Sequence, residues 1–567
     1  MGATTRLGLV AAAVGSLIVL SPVQAQQREP ADLIITGGVV YTADAMRPRA
    51  EAVAVKGGRI VFVGSAQEAA VLRGAQTRVI DASGQMVMPG MIDAHGHLPG
   101  LGSALRAVDL VGTRSVGEII AKVAARAAQL PAGSWIIGRG WDQNDWADTR
   151  FPTHDALSRA VPDHPVMLER VDGHATFVNA KAIQLAGITR STKDPSGGRI
   201  LRDAAGNATG VLIDNASNLV LAKMPAETRA EQREGILLAQ TELNRFGLTG
   251  IGDAGVERAT IELYEELARE GRLTVRNNVM VAGSEENLKH FFQVGPRDNI
   301  DGNHMLSVRA IKLQADGALG SRGAHLIEPY SDDPQNTGLV LEPKQRIQDV
   351  AVRALRSGFQ LNVHAIGDAA NRETLDAIEA ALKEVPTADH RFRIEHAQIV
   401  HRNDIPRFVE LGIIPSMETV HQTSDMYWAE NRLGWTRLLG AYAWRSFLNS
   451  GAIIAGGSDF PVESPNPLLS FYAAVTRQDA EGWPVGGWFG QQIMTREEAL
   501  NHLTIWPAYA SFQEQHVGSI TTGKLADIVI LSQDIMKVPA QQILKTVVEK
   551  TIVGGKLVYD RGARQTS

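Results

Sequence analysis

Two histidines two residues apart, His95 and His97, close the run Met91-Ile92-Asp93-Ala94-His95-Gly96-His97. Pro89-Gly90 reads as a turn ahead of a short apolar strand. Side chains alternate faces along a strand, so both imidazoles point the same way. Two imidazoles on one face at a strand end can chelate a metal ion. An isolated His-x-His is as readily a polar pair where a strand meets a loop. Four further residues of ligand type decide between these readings. Lys312, His364 and His396 each end a later strand-like run, and Asp459 lies just past another, in Gly456-Gly457-Ser458-Asp459. Each alone has a plain structural role: a snorkelling lysine, a hydrogen-bonded core histidine, a turn or cap aspartate. Together they predict a metal centre.

The residue types say what that centre would do. Four neutral imidazoles suit a borderline ion such as Zn²⁺. An ammonium cannot ligate, but burial beside cations depresses the Lys312 pKa, and a neutral amine can take up CO₂ to become a carbamate. Its two oxygens would bridge two ions. Such a pair lowers the pKa of a bridging water and yields a hydroxide nucleophile near neutral pH. Asp459 would ligate one ion and carry a proton from that hydroxide to the leaving group.

Those residues need a scaffold that brings strand ends together. Apolar runs recur at residues 91–97, 248–253, 275–281, 308–313, 360–364, 391–396, 412–416 and 452–456, most of them preceded by a helical stretch. Eight strands alternating with helices predict a (β/α)₈ TIM barrel, whose chemistry sits at the C-terminal strand ends. Short strands and Gly-Gly turns before and after it, as in Lys56-Gly57-Gly58-Arg59 and Val553-Gly554-Gly555-Lys556, predict a small β-sandwich domain built from both chain ends. The stretch between the first two barrel strands is too long for one helix. It carries strand-like 134–138 and 165–169 and a hairpin over 199–213, and reads as an insertion placed like a lid. The expected division is a signal peptide over 1–25, the sandwich over 26–89 plus 515–567, the barrel over 90–102 plus 230–514, and the insertion over 103–229.

Composition narrows the class. A net charge of -6 gives no electrostatic footprint for nucleic acid or an anionic membrane. The absence of cysteine excludes disulfides, thiolate catalysis and cysteine-ligated zinc. Arg6, the apolar run Leu7 to Leu20 and Ser21-Pro22-Val23-Gln24-Ala25 read as an export signal cut after Ala25. No later segment has the apolar length of a membrane span. The expected location is therefore outside the cytoplasm, periplasmic in a host with two membranes.

The motifs resemble those of the amidohydrolase superfamily, within it the YtcJ-like branch (amidohydrolase family 3) that includes N-substituted formamide deformylases. The resemblance rests on Met88-Pro89-Gly90 through His97, Gly138-Arg139-Gly140-Trp141-Asp142, Asp172-Gly173-His174 and Lys312 to Gly320. It continues through His364-Ala365-Ile366-Gly367-Asp368, Arg393 to Gln398, Gly457 to Pro461, and Gly523-Lys524-Leu525-Ala526-Asp527. It implies a barrel with a β-sandwich and hydrolysis of amide-type C–N bonds in a small-molecule substrate. By position, His95 and His97 would hold one metal and His364 and His396 the other. Carbamylated Lys312 would bridge two Zn²⁺ ions, with Asp459 as ligand and proton shuttle.

Around the centre, Trp141, Asp142 and His174 on the insertion, Arg322 after the fourth strand, and Glu418, His421 and Tyr427 after the seventh are candidates for substrate contact. Trp141, Trp146, Trp428, Trp435, Trp483 and Trp488 could wall an apolar substituent. Two rivals stand beside the amide hydrolase. One is a mononuclear enzyme that deaminates a ring carbon, which would not need Lys312. The other is a catalytically silent metal- or solute-binding protein, which would not need a proton shuttle. Substrate identity and assembly into a homo-oligomer are left open by the sequence.

Overall fold

A computed structural model describes residues 1–2, 29–143, 146–170, 175–195, 198–320 and 322–563. The signal-peptide reading falls on 1–25, almost wholly outside these residues. Among the described residues no helix is long and apolar enough to cross a membrane.

Eight parallel strands form one sheet in sequence order: β1 (Met91–Gly96), β2 (Leu248–Val256), β3 (Arg276–Ala282), β4 (Leu306–Gln314), β5 (Gln360–Ala365), β6 (Arg393–His396), β7 (Ile414–Glu418) and β8 (Ala455–Gly457). Helices between successive strands cover the outside, giving the expected (β/α)₈ barrel. The first and last strands meet through the residues just beyond them. The Asp459 amide donates to the His95 carbonyl at 2.8 Å and the His97 amide to the Phe460 carbonyl at 2.8 Å. Asp93 accepts from the Ser458 hydroxyl at 2.6 Å and from the Ser458 amide at 3.1 Å. Gly457 permits this approach, because a Cβ there would sit 2.8 Å from the His95 nitrogen. The last strand starts later than the apolar run 452–456 suggests, at Ala455, because the chain reaches the barrel wall only where the glycines begin.

The chain ends meet beneath the barrel. Strand Met86–Pro89 pairs antiparallel with Ile528–Leu531, in a six-stranded sheet ordered 556–560, 548–553, 528–531, 86–89, 39–41 and 49–50. Pro89 therefore ends a strand of its own, where the sequence suggested a simple turn before β1. A four-stranded sheet ordered 59–64, 52–56, 33–36 and 78–81 faces it. Alternation explains the unbroken apolar run Ile528-Val529-Ile530-Leu531. Ile528 and Ile530 fill the sandwich core with Val53, Val55 and Val87, while Val529 and Leu531 face the barrel core with Met86 and Met88. A sheet buried on both faces has no polar side to show. Its last hairpin turns at Gly554 and Gly555, both at positive φ, as a two-residue turn requires.

Between β1 and β2 a third sheet runs in the order 198–202, 208–214, 175–178, 166–170, 136–141 and 108–109. It has its own core of Leu110, Ile119, Leu157, Leu168 and Phe177. The helix after β1 spans Leu98–Arg106, and Gly102 on it lies against Gly235 of helix Arg229–Arg245.

A buried ion pair rivets sandwich to barrel. Arg276 at the start of β3 donates to both Asp527 oxygens, at 2.6 and 2.8 Å, and the Gly554 amide donates to Asp527 at 2.8 Å. Removing one partner leaves an uncompensated buried charge. Asp527→Ala should therefore lose about 3–5 kcal/mol of stability, read as a lower urea midpoint. A shift within experimental error would show that the pair does not hold the two bodies together.

Candidate metal centre

The six expected ligand residues converge at the C-terminal end of the barrel. His95, fully buried, directs Nδ1 at Glu395 Oε2 at 2.5 Å. A carboxylate only accepts, so Nδ1 carries the proton and the Nε2 lone pair faces the cavity. That Nε2 lies 3.3 Å from Lys312 Nζ and 3.6 Å from Asp459 Oδ1. His97 is fixed the same way, its Nδ1 donating to the Ala254 carbonyl at 3.0 Å and its Nε2 standing 3.0 Å from Asp459 Oδ1. His396 donates from Nδ1 to Glu418 Oε2 at 2.8 Å. The imidazole of His396 lies 4.5 Å from that of His364 and 4.9 Å from that of His95, centre to centre. His396 and Asp459 both adopt positive φ, 70° and 58°. Such backbone strain is tolerated where surrounding structure over-determines it, as at functional sites.

These distances separate groups spaced to share an ion from groups spaced to hydrogen-bond. Donors on a tetrahedral ion about 2.0–2.1 Å from each lie roughly 3.3 Å apart. Asp459 Oδ1 stands 3.0 Å from His97 Nε2 and 3.6 Å from His95 Nε2, close enough for the three to share an ion. His396 Nδ1 and Glu418 Oε2, 2.8 Å apart, are hydrogen-bonded, although His396, Glu418 and His421 together are also close enough to share one. Glu418 was expected to face substrate; it is instead buried behind His396, the place of a carboxylate that sets ring orientation and tautomer. His421 turns Nδ1 towards Glu418 at 3.6 Å and Nε2 towards Asp459 Oδ2 at 3.9 Å. The Nε2 atoms of His364 and His421 are buried without a hydrogen-bond partner, although His364 Nε2 lies 3.5 Å from Asp316 Oδ1. A nitrogen-rich donor set with buried lone pairs and one carboxylate fits a borderline divalent cation.

The electrostatics differ between the four histidines: against burial, Asp459 pushes His97 up and Glu418 pushes His396 up. Burial, helped by Lys312 and the other imidazoles, keeps His95 and His364 well below the ordinary histidine range, so both are neutral donors. Burial pushes the Lys312 amine down against the pull of Glu395 and Asp459. Burial alone would raise the Asp459 carboxyl; the His97 hydrogen bond and neighbouring imidazoles outweigh it and hold the group well below the usual carboxylate range.

Glu395 and Arg393 were not singled out from the sequence. Arg393 Nη2 donates to Glu395 Oε2 at 2.7 Å, to the Ala94 carbonyl at 2.8 Å and to Ser416 Oγ at 3.0 Å. Their signal was two residues of opposite charge at i and i+2 on either side of Ile394, hence on one face of the strand.

The peripheral candidates scatter. Trp141 is buried in the insertion core against Trp146 and Phe177, its Nε1 donating to the Leu168 carbonyl at 2.8 Å. A bulge at Gly140 (φ 104°) shifts the register there and turns the ring inward. Trp141 and Trp146 are core residues of the insertion and do not wall the site. Asp142 follows at the strand end, half-buried. Arg322 is engaged by Asp332 at 3.0 and 3.1 Å. Tyr427 is exposed and stacks on Trp483. His174 lies outside the described residues.

A barrel with this cluster at its strand ends defines a metal-dependent hydrolase, and the comparisons carry the same message. Residues 78–559 match the amidohydrolase family. The chain is 33% identical to the Bacillus subtilis protein YtcJ over 93% of this chain and 99% of that one. It is 31% identical to N-substituted formamide deformylase of Arthrobacter pascens, covering 94% and 98%. A solved structure, an uncharacterized metal-dependent hydrolase from Pyrococcus furiosus, superposes with a TM-score of 0.74 at 30% identity, covering 89% and 100%. The chain belongs to the amidohydrolase family.

If the buried carboxylates set ring orientation, Glu395→Gln and Glu418→Gln should each weaken zinc affinity by about 10–100-fold in a folded protein, measured by competition with a chromophoric chelator. Unchanged affinity would remove that role.

Proposed function

We propose that this protein is an exported hydrolase that cleaves the C–N bond of an amide, N-formyl or cyclic amide group with two divalent ions, most simply Zn²⁺. His95 and His97 would hold one ion and His364 and His396 the other, with Lys312 as a bridging carbamate and Asp459 as a ligand. Bound there, the metals supply an activated water and polarise the carbonyl oxygen. The observation that carries the reading is the engagement of the Nδ1 atoms of His95, His97 and His396 by oxygen acceptors, so that Nε2 is the nitrogen each ring would offer a metal.

The chain's own groups then have distinct tasks. Asp459 stays ionised beside His97, so it can take a proton from the attacking water and return it to the leaving nitrogen, as amide cleavage requires. His421 stands near its second oxygen and can steady the same proton. Lys312 favours the dinuclear hydrolase over a mononuclear deaminase. Its depressed amine beside His95 suits carbamate formation, and a single-ion site would leave it without a task.

Protein purified with bicarbonate and without chelators should carry two metal equivalents per chain, falling to one or none in Lys312→Ala. One equivalent, insensitive to that change, would overturn the bridging role. On a panel of formamides, aryl amides, N-acyl amino acids and hydantoins, Asp459→Asn should lower kcat by about 10²–10⁴-fold with the fold intact. Near-normal turnover would reject the shuttle.

A further inference from the structure

Two large aromatic rings stand in solvent on the segments that follow β7 and β8. Tyr427 is 58% exposed and Trp483 48%, yet their rings stack at 5.2 Å and 9° from parallel. Exposed rings usually rest singly against a core; a parallel pair held in water needs a cause. Asp479 supplies one. It accepts from the Tyr427 hydroxyl and, at 2.9 Å, from the Trp483 amide, and its own amide donates to the Trp483 carbonyl at 2.9 Å.

The segment carrying Trp483 is a closed loop. At its neck the Trp488 amide donates to the Arg477 carbonyl at 2.9 Å, and Arg477 Nε donates to the Trp488 carbonyl at 2.5 Å. Inside it, Gln478 Nε2 donates to the Gly482 and Pro484 carbonyls, both at 2.9 Å. Arg477 itself is fully buried, with its guanidinium 4.3 Å from the Trp444 ring centre. Such a neck and interior leave the loop little freedom, so the rings are set before anything binds.

The pair is joined to the centre along the chain. Tyr427 lies two residues beyond the helix Thr419–Asp425, which carries His421. Ser424 on that helix donates to Glu463 at 2.5 Å, four residues after Asp459. The platform therefore sits on the segments that follow β7 and β8, which also carry His421 and Asp459.

We propose that Tyr427 and Trp483 form a preorganised platform that selects substrates bearing a flat, unsaturated substituent on the scissile nitrogen. Stacking rewards a planar π system beyond its apolar area, whereas a puckered ring of equal size gains the area alone. This rests on the hydrolase reading above, and the test separates the two.

The probes are N-(2-phenylethyl)formamide and N-(2-cyclohexylethyl)formamide, equal in carbon count and differing in flatness. The ratio of their kcat/KM values should favour the phenyl compound. In Trp483→Leu and in Tyr427→Leu that ratio should fall about three- to tenfold, with circular dichroism and metal content as in the wild type. A ratio that does not move in either variant overturns the platform. If neither formamide is cleaved, the reading of the reaction fails for this class, and the platform is judged by calorimetric titration with N-(2-phenylethyl)acetamide. Weaker binding to Trp483→Leu than to the wild type supports it; equal binding, or none to the wild type, overturns it.

Discussion

The site depends on one carboxylate sealed inside the barrel. Glu395 is fully buried and accepts through a single oxygen from both His95 and Arg393. Burying a lone carboxylate costs far more than a fold can spare, and the Arg393 guanidinium offsets that cost. Arg393 is in turn held by a β1 carbonyl and a β7 hydroxyl, so the charge pair also ties three strands of the barrel together. With Glu395 as a fixed acceptor, His95 has one tautomer and one orientation. The donor geometry is thus built from behind, by groups that would never touch a metal.

Barrel closure performs the same service for Asp459. The seam between β1 and β8 is made of the amides of His97, Ser458 and Asp459 and the carboxylate of Asp93. Its hydrogen bonds place Asp459 at positive φ beside both histidines of β1. Two residues more than three hundred positions apart become neighbours because the sheet returns on itself. The rim is less uniform. The closed loop that carries Trp483 is held by backbone bonds and by the side chains of Arg477, Gln478 and Asp479, while the insertion after β1 is organised around its own core and keeps Trp141 for itself.

Much of this was legible in the sequence. Apolar strand-like runs separated by helical stretches implied the barrel, and ligand-type residues at the ends of those runs implied the centre. Hairpin glycines at both chain ends implied the sandwich, and its sheet indeed takes strands from both. What escaped were contacts without a local pattern. The bulge at Gly140 reverses the face of Trp141, and no reading of alternation alone detects one inserted residue. Glu418 looked like a residue of the rim because it follows the apolar run 412–416; in the structure it ends that strand, and its partner, His396, comes from the neighbouring one.

The sequence by itself determined the residue types at the strand ends, and with them the chemistry: imidazoles, a carboxylate and a lysine, with no thiol to compete. It also determined the fold class, because hydrophobic periodicity is a local property that each segment carries alone. The tertiary structure decided which nitrogen of His95, His97 and His396 meets an oxygen acceptor behind it, which carboxylates stand beside those rings, and which aromatic rings face solvent. Those are questions of direction and of partner at a few ångströms. They are settled only when strands hundreds of residues apart take their register in one closed sheet.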